Sequence, residues 1–180
     1  MNQKATVFQT FLNEHKIACF RTEETQDKLH TTVFRSHIEA CGQNLPTAVI
    51  IDSTIYTVIR VRVASGVGNS GNTARLERFC NARNRSYKSF KYYLAENGDL
   101  YLDVCLIATA EAFCAEVVYT MLDVLVKHLT GDYPSIMRAV WTTNENIPDK
   151  NTNVALWAGI GIAVVVLVAV VIFLIKKRFS

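Results

Sequence analysis

From Asn151 to Ile175 the chain carries no charged side chain, and Val154 to Ile175 is almost wholly Val, Ile, Leu, Ala, Gly and Phe. At about 1.5 Å of rise per residue, a helix of that length covers the roughly 30 Å hydrocarbon core of a bilayer. A buried core helix rarely runs so far without one polar face, and the segment is followed at once by Lys176, Lys177 and Arg178. The pattern predicts a transmembrane helix over 154–175, with Trp157 at one interface and the basic cluster at the other. The sequence then divides into an interaction domain (1–141), a polar linker (142–153), the span, and a basic tail (176–180).

Only five residues follow Ile175, which reads as a tail anchor. The first residues, Met1-Asn2-Gln3-Lys4-Ala5, lead into apolar runs interrupted by Asn13, Glu14, His15 and Lys16, too short for the apolar core of a signal peptide. The expectation is a single-pass membrane protein with its N-terminal domain in the cytoplasm. The basic tail argues for the reverse orientation, an outward-facing, receptor-like domain. Ala155, Gly159 and Ala163 recur at four-residue intervals. That interval suits close helix pairing and hence a homodimer, but it also arises because small residues are common in membrane helices.

The three basic residues of the tail account for the excess of 19 Lys and Arg over 16 Asp and Glu, so residues 1–150 balance at 16 against 16. Nucleic-acid binding calls for a basic excess spread over a face and is not expected. The five cysteines form no CxxC pair and are odd in number, which fits reduced thiols better than a disulfide framework. His15, His30, His37 and His128 show no zinc spacing. No metal, cofactor or catalytic set is expected.

Periodicity organises the domain. Val7, Phe8, Phe11 and Leu12 fall at helical spacing, and a short strand is expected at Ile17 to Arg21. Thr31 to Ala40 alternates, with Phe34, Ser36 and Ile38 on one side and Val33, Arg35 and His37 on the other. Asn44-Leu45-Pro46 is expected to break that strand. Val49 to Ile51 and Ile55 to Val63 read either as two strands about Asp52-Ser53 or as one bent strand, with Arg60 and Arg62 facing outward. Asn72 or Thr73 caps a helix to Arg85 that buries Leu76, Phe79 and either Cys80 or the stem of Arg83. Phe90, Tyr92, Leu94 and then Leu100, Leu102, Val104 and Leu106 alternate about Asn97-Gly98, predicting a hairpin with a two-residue turn. Thr109 is placed as the cap of a long helix with Glu111 in its first turn and an apolar stripe of Phe113, Val117, Met121, Leu122, Leu125 and Leu129. Gly131 is expected to end it, and Tyr133-Pro134 to begin another piece reaching Trp141. The sum is an α+β domain, α-βββ-α-ββ-α, with an antiparallel sheet and helices on one face.

The helix carrying Leu76, Phe79, Asn81 and Asn84, the hairpin with Asn97-Gly98-Asp99-Leu100, and the long amphipathic helix near Tyr133-Pro134 together resemble the YbjN family of bacterial proteins. The resemblance spans roughly Ala5 to Val140 and lacks the C-terminal anchor. It implies a fold like that of type III secretion chaperones and a role in regulation and protein binding, and it supplies no catalytic residue.

Three features compete as sites. Gly66-Val67-Gly68-Asn69-Ser70-Gly71 matches the G-x-G-x-x-G dinucleotide fingerprint, with Glu96 downstream. The preceding strand is not continuously apolar, and the helix cap falls after the last glycine. Arg75, Arg78 and Arg85 share one side of the second helix and suit an acidic partner or anionic lipid, or simply a solvated face. Tyr92, Tyr93 and Tyr101 suit either an aromatic recognition surface or cross-strand packing. Asp99 and Asp103 have no evident partner, which leaves an acid/base pair without support. The expected function is therefore a non-enzymatic, membrane-tethered, chaperone-like domain for a protein partner. A nucleotide-binding sensor or enzyme using residues 66–71 is the alternative.

Overall fold

Alternating apolar residues make the strands, and the helices cover the face those residues share. The computed structural model describes residues 1–69 and 71–142. Its elements are α1 (Gln3–Glu14), β1 (Arg21–Glu24), β2 (Thr32–Ala40), β3 (Gln43–Ile51), β4 (Tyr56–Ala64), α2 (Thr73–Ser86), β5 (Phe90–Leu94), β6 (Leu100–Ile107) and α3 (Ala115–Trp141). The strands form one antiparallel sheet in the order β1-β2-β3-β4-β6-β5. The expected α+β class holds, with one strand more before α2, because Asp52–Ile55 turns the chain between two strands. At that turn the Asp52 carboxylate accepts the Thr54 amide and hydroxyl. The linker, span and basic tail lie outside the described residues, except Thr142, which ends α3.

Phe34, Val49, Ile51, Ile59, Val61, Val63, Leu100, Leu102 and Val104 face inward and are buried. Over them pack Phe8 and Leu12 of α1, Leu76 and Cys80 of α2, and Val118, Leu125, Leu129 and Ile136 of α3. Phe8 meets Phe34 edge-on at 4.9 Å between ring centroids, the geometry aromatic quadrupoles favour. Asn2 caps α1 by accepting the Ala5 amide, and its own amide group donates to the carbonyls of His30 and Ile51. Buried Lys4 donates to the Tyr56 carbonyl at 2.7 Å, and burial lowers its pKa.

Several local expectations are corrected. The first strand is displaced from Ile17–Arg21 to Arg21–Glu24. Pro46 does not break a strand: it lies within β3, opposite His37 of β2, where the ladder to β4 has not yet begun, since that ladder starts at Thr47↔Val61. A proline is tolerated where one side of the strand is open. The tight two-residue turn is at Cys41-Gly42, where both residues have positive φ, 51° and 75°, the pattern of a type I′ turn. At Asn97-Gly98 only Gly98 has positive φ, and a five-residue loop results, closed by the Gly98 amide on the Ala95 carbonyl and the Ala95 amide on the Asp99 carbonyl.

Thr109 caps only a short turn, through the Ala112 amide, and α3 begins six residues later. Its buried stripe is accordingly Ala115, Val118, Leu122, Leu125, Leu129, Ile136 and Val140, while Val117 is exposed and Phe113 and Met121 are half-buried. Gly131 and Pro134 do not interrupt α3, because Leu129, Ile136 and Val140 on either side of them are buried, and burial outweighs propensity. Pro134 lacks the N–H that would reach Thr130. The Cys41 thiol donates to that freed Thr130 carbonyl at 3.5 Å.

At the β5 edge, the Asn84 side chain accepts the Tyr92 amide at 2.7 Å and donates to the Tyr92 carbonyl at 2.9 Å. It thus replaces one rung of a neighbouring strand. Phe8→Ala is expected to lower unfolding free energy by about 3–5 kcal/mol, read from the urea midpoint followed by far-UV circular dichroism.

Candidate interaction surface

Among the described residues all three helices lie on one side of the sheet, and none covers the other face. Register places Glu23, Val33, Ile50, Val58 and Cys105 in one row across five strands. The next row is Arg21, Arg35, Ala48, Arg60, Asp103 and Lys91. A third holds His37 and Pro46 on β2 and β3, and Arg62, Tyr101 and Tyr93 on β4, β6 and β5. Beyond the apolar row, Tyr56 and Ile107 pair and are 48% and 68% exposed. One half of the face is apolar and the other is cationic and aromatic.

The cationic half is ordered by cross-strand pairs. Arg60 grips Asp103 with Nε–Oδ1 at 3.0 Å and Nη2–Oδ2 at 2.8 Å, a two-point geometry that fits a carboxylate. Asp103, ahead of partial burial, raises the pKa of Arg60. Its guanidinium also lies 5.9 and 5.6 Å from the ring centroids of Tyr93 and Tyr101, which stack at 5.5 Å. Arg35 donates to Glu23 at 2.7 Å and holds that carboxyl below its ordinary range. Arg62 approaches Asp99 at 3.9 Å. Arg35, Arg60 and Arg62 border a cavity of about 250 Å³ whose remaining lining is Ser36, Pro46, Thr47, Ala48 and Tyr101.

Asp99 and Asp103 therefore both have partners. Asp99 is 4% exposed and accepts the Gly66 amide at 2.7 Å, the Ser65 hydroxyl at 3.0 Å, the Asn97 side chain at 3.1 Å and the Tyr101 hydroxyl at 3.2 Å. The Gly66 amide, foremost among these, holds its pKa below the ordinary range.

This latch decides the glycine-rich loop. The Gly66 amide is committed to Asp99, the Gly68 amide to the Gly98 carbonyl at 2.9 Å, the Asn69 amide to the Asn72 side chain, and the Gly71 amide to the Asn69 side chain. A phosphate cradle needs those amides free. The glycines serve packing instead: a Cβ on Gly98 would lie 2.7 Å from the Gly68 carbonyl oxygen, and one on Gly68 2.9 Å from a Leu94 methyl. Glu96 sits exposed in the hairpin loop.

Of the three arginines on α2, Arg75 is not free for a partner, because its guanidinium donates to the carbonyls of Ala139 and Val140 at the end of α3. Arg78 and Arg85 are exposed. Tyr92 does not join Tyr93 and Tyr101, since alternation turns it inward, where it is 1% exposed. Its hydroxyl meets His128 Nε2 at 2.7 Å. Around them Asp132 accepts from Arg83 and Tyr87, each at 2.8 Å. Burial lowers the pKa of His128, against the pull of Asp132. Cys80, on the buried side of α2, has its thiol pushed up to about 11 by burial.

Among the described residues no group of three or more His, Cys, Asp or Glu is placed to hold a metal, and no helix is long and apolar enough to cross a membrane. Arg35 and Ala48 were not singled out from sequence. The outward arginines of β4 were a signal, but the cavity they frame depends on register across three strands.

No protein-family model and no curated protein matches the chain, so the resemblance to the YbjN family rests on the motifs themselves. Among solved structures, a chain of the "Crystal Structure of the ExsC-ExsE Complex" is similar at 11% identity and a TM-score of 0.42, covering 74% of this chain and 96% of that chain.

Two outcomes are expected here. Asp99→Ala takes away the charged acceptor of the Gly66 amide, at a cost of about 1.5–3 kcal/mol, and speeds hydrogen exchange at that amide. His128 binds protons more weakly folded than unfolded, so stability falls as pH drops below its ordinary value near 6.5. In His128→Leu that part of the pH slope disappears, as read from melting temperature across pH 5–8.

Proposed function

We propose that the chain is a non-enzymatic protein-binding domain that docks a partner segment on the open face of its sheet and is held at a membrane by the apolar segment 154–175. The observation that carries the first half is the apolar row Val33, Ile50 and Val58, continued by exposed Tyr56 and Ile107. An antiparallel sheet readily leaves one face to water, but that face is then polar. A continuous apolar row on it marks an interaction site. The membrane half rests on the uncharged run from Asn151 to Ile175 and the basic residues after it. Tethering raises the effective concentration of the domain toward other membrane-bound proteins.

On this reading the domain lies on the cytosolic side. The cysteines are free, with Cys19, Cys41, Cys105 and Cys114 exposed, and exposed thiols persist in a reducing compartment. A chaperone-like role, holding an extended segment of another protein, suits both this surface and the YbjN resemblance. The nucleotide alternative has no supporting geometry, because the amides it would need are taken by Asp99, Gly98 and the loop's own asparagines.

A photo-crosslinking residue at Ile50 is expected to yield discrete crosslinked products in cells, while the same residue at Lys127, exposed on the helical side, yields none. Equal products at both positions count against a docking face. The full chain should resist alkaline extraction from membranes, and a chain ending at Asp149 should be released by it. Protection of the domain from protease added outside intact cells checks the orientation.

A further inference from the structure

Granting a protein partner on the open face, the composition of the cationic half specifies the chemistry of that partner. Arg35, Ala48 and Arg60 are directly paired across β2, β3 and β4. Strands about 4.8 Å apart place the two arginine backbones roughly 10 Å from each other with only a methyl group between them. Arg62 stands two residues along β4 on the same face. The small residue in the middle, with Pro46 two residues along β3 on the same face, is what leaves the cavity of about 250 Å³.

Among the described residues no acidic side chain lines that cavity. The carboxylates that steady its arginines sit outside it: Asp103 uses Nε and Nη2 of Arg60, and Glu23 uses Nε of Arg35. An arginine has five N–H donors, so each keeps donors beyond those its anchor takes. Arg62 makes no hydrogen bond among the described residues; its nearest acid, Asp99 at 3.9 Å, already accepts from Ser65, Gly66, Asn97 and Tyr101. The guanidiniums are 42–56% exposed and within reach of a ligand.

We propose that this cavity seats an acidic side chain of an extended partner segment whose neighbouring apolar side chain lies on Ile50 and Val58. The apolar row and the arginine row are two residues apart along the strands, roughly 6.7 Å, which is the spacing of alternate residues in an extended chain. The segment therefore carries an apolar residue and an Asp or Glu two positions apart, on one side. Guanidinium forks bind carboxylates at two points, which favours such a residue over a neutral or cationic one. Nucleic acid is disfavoured by the balance of 16 basic and 16 acidic residues over 1–150.

The test uses the full chain in neutral detergent micelles and a fluorescein-labelled peptide repeating Ile-Ser-Glu-Ser, with Ile-Ser-Lys-Ser as control, read by fluorescence anisotropy. Saturable binding of the acidic peptide is expected, weaker by about tenfold or more in Arg62→Glu and at raised salt, with none of the lysine peptide. Ala48→Leu, which fills the cavity without changing charge, should weaken binding as much. Unchanged affinity in both variants, no binding of the acidic peptide, or equal binding of the lysine peptide overturns the proposal. Binding to phosphatidylserine vesicles in place of the peptide does so in favour of a lipid surface. Crosslinks at Ile50 that persist in Arg62→Glu would remove the acidic partner while leaving the protein-binding face intact. No crosslink at Ile50 in the unaltered chain would remove that face itself.

Discussion

One-sided burial is the constraint from which the rest of the molecule follows. Every inward residue of β2, β3, β4 and β6 must be taken from water by a helix, and α1, α2 and α3 are all spent on that face. At roughly 25 cal/mol per Å² of apolar area, burial of residues such as Phe34, Leu102 and Leu125 holds these helices on that face. The outer face is left to stabilise itself by cross-strand contacts, and Arg60 with Asp103, Tyr93 and Tyr101 does so.

That division separates two kinds of polar chemistry. On the helical side, polar groups close on one another: Tyr92 on His128, Arg83 and Tyr87 on Asp132, and Arg75 on the end of α3. Buried networks of this kind favour a single packing arrangement when every member is satisfied. On the sheet side the arginines are held from one flank only. The first set maintains the fold, and the second presents charge to the surroundings.

The sequence was legible wherever local periodicity and burial agreed. The alternation of Phe34 and Ile38, of Ile59, Val61 and Val63, and of Leu100, Leu102 and Val104 marked the inner face, and Leu76 and Cys80 marked α2. It misled where a residue's usual local meaning was overruled by something distant. Pro46 sits in a strand because one side of that strand is open, and Pro134 sits in a helix because Leu129 and Ile136 are buried around it. Thr109 has the chemistry of a cap but lies five residues before the position that caps α3, Cys114. The site was half legible: Arg60 and Arg62 were read as outward, but Ala48 between Arg35 and Arg60 is a fact of register. Arg75 read as a surface charge because its acceptors lie 64 and 65 residues away.

The Asn84 amide on Tyr92 bears on how copies of the chain tolerate one another. A sheet's outermost strands offer unpaired amides and carbonyls that invite neighbouring molecules to add on, the usual beginning of fibrous aggregation. At β5 that invitation is withdrawn by a single side chain that occupies both backbone groups of Tyr92, with α2 alongside. At the opposite border β1 is only four residues long and mostly charged, Arg-Thr-Glu-Glu. A domain with such blunted borders can leave a broad sheet face uncovered by its own helices without polymerising through the edges of that sheet.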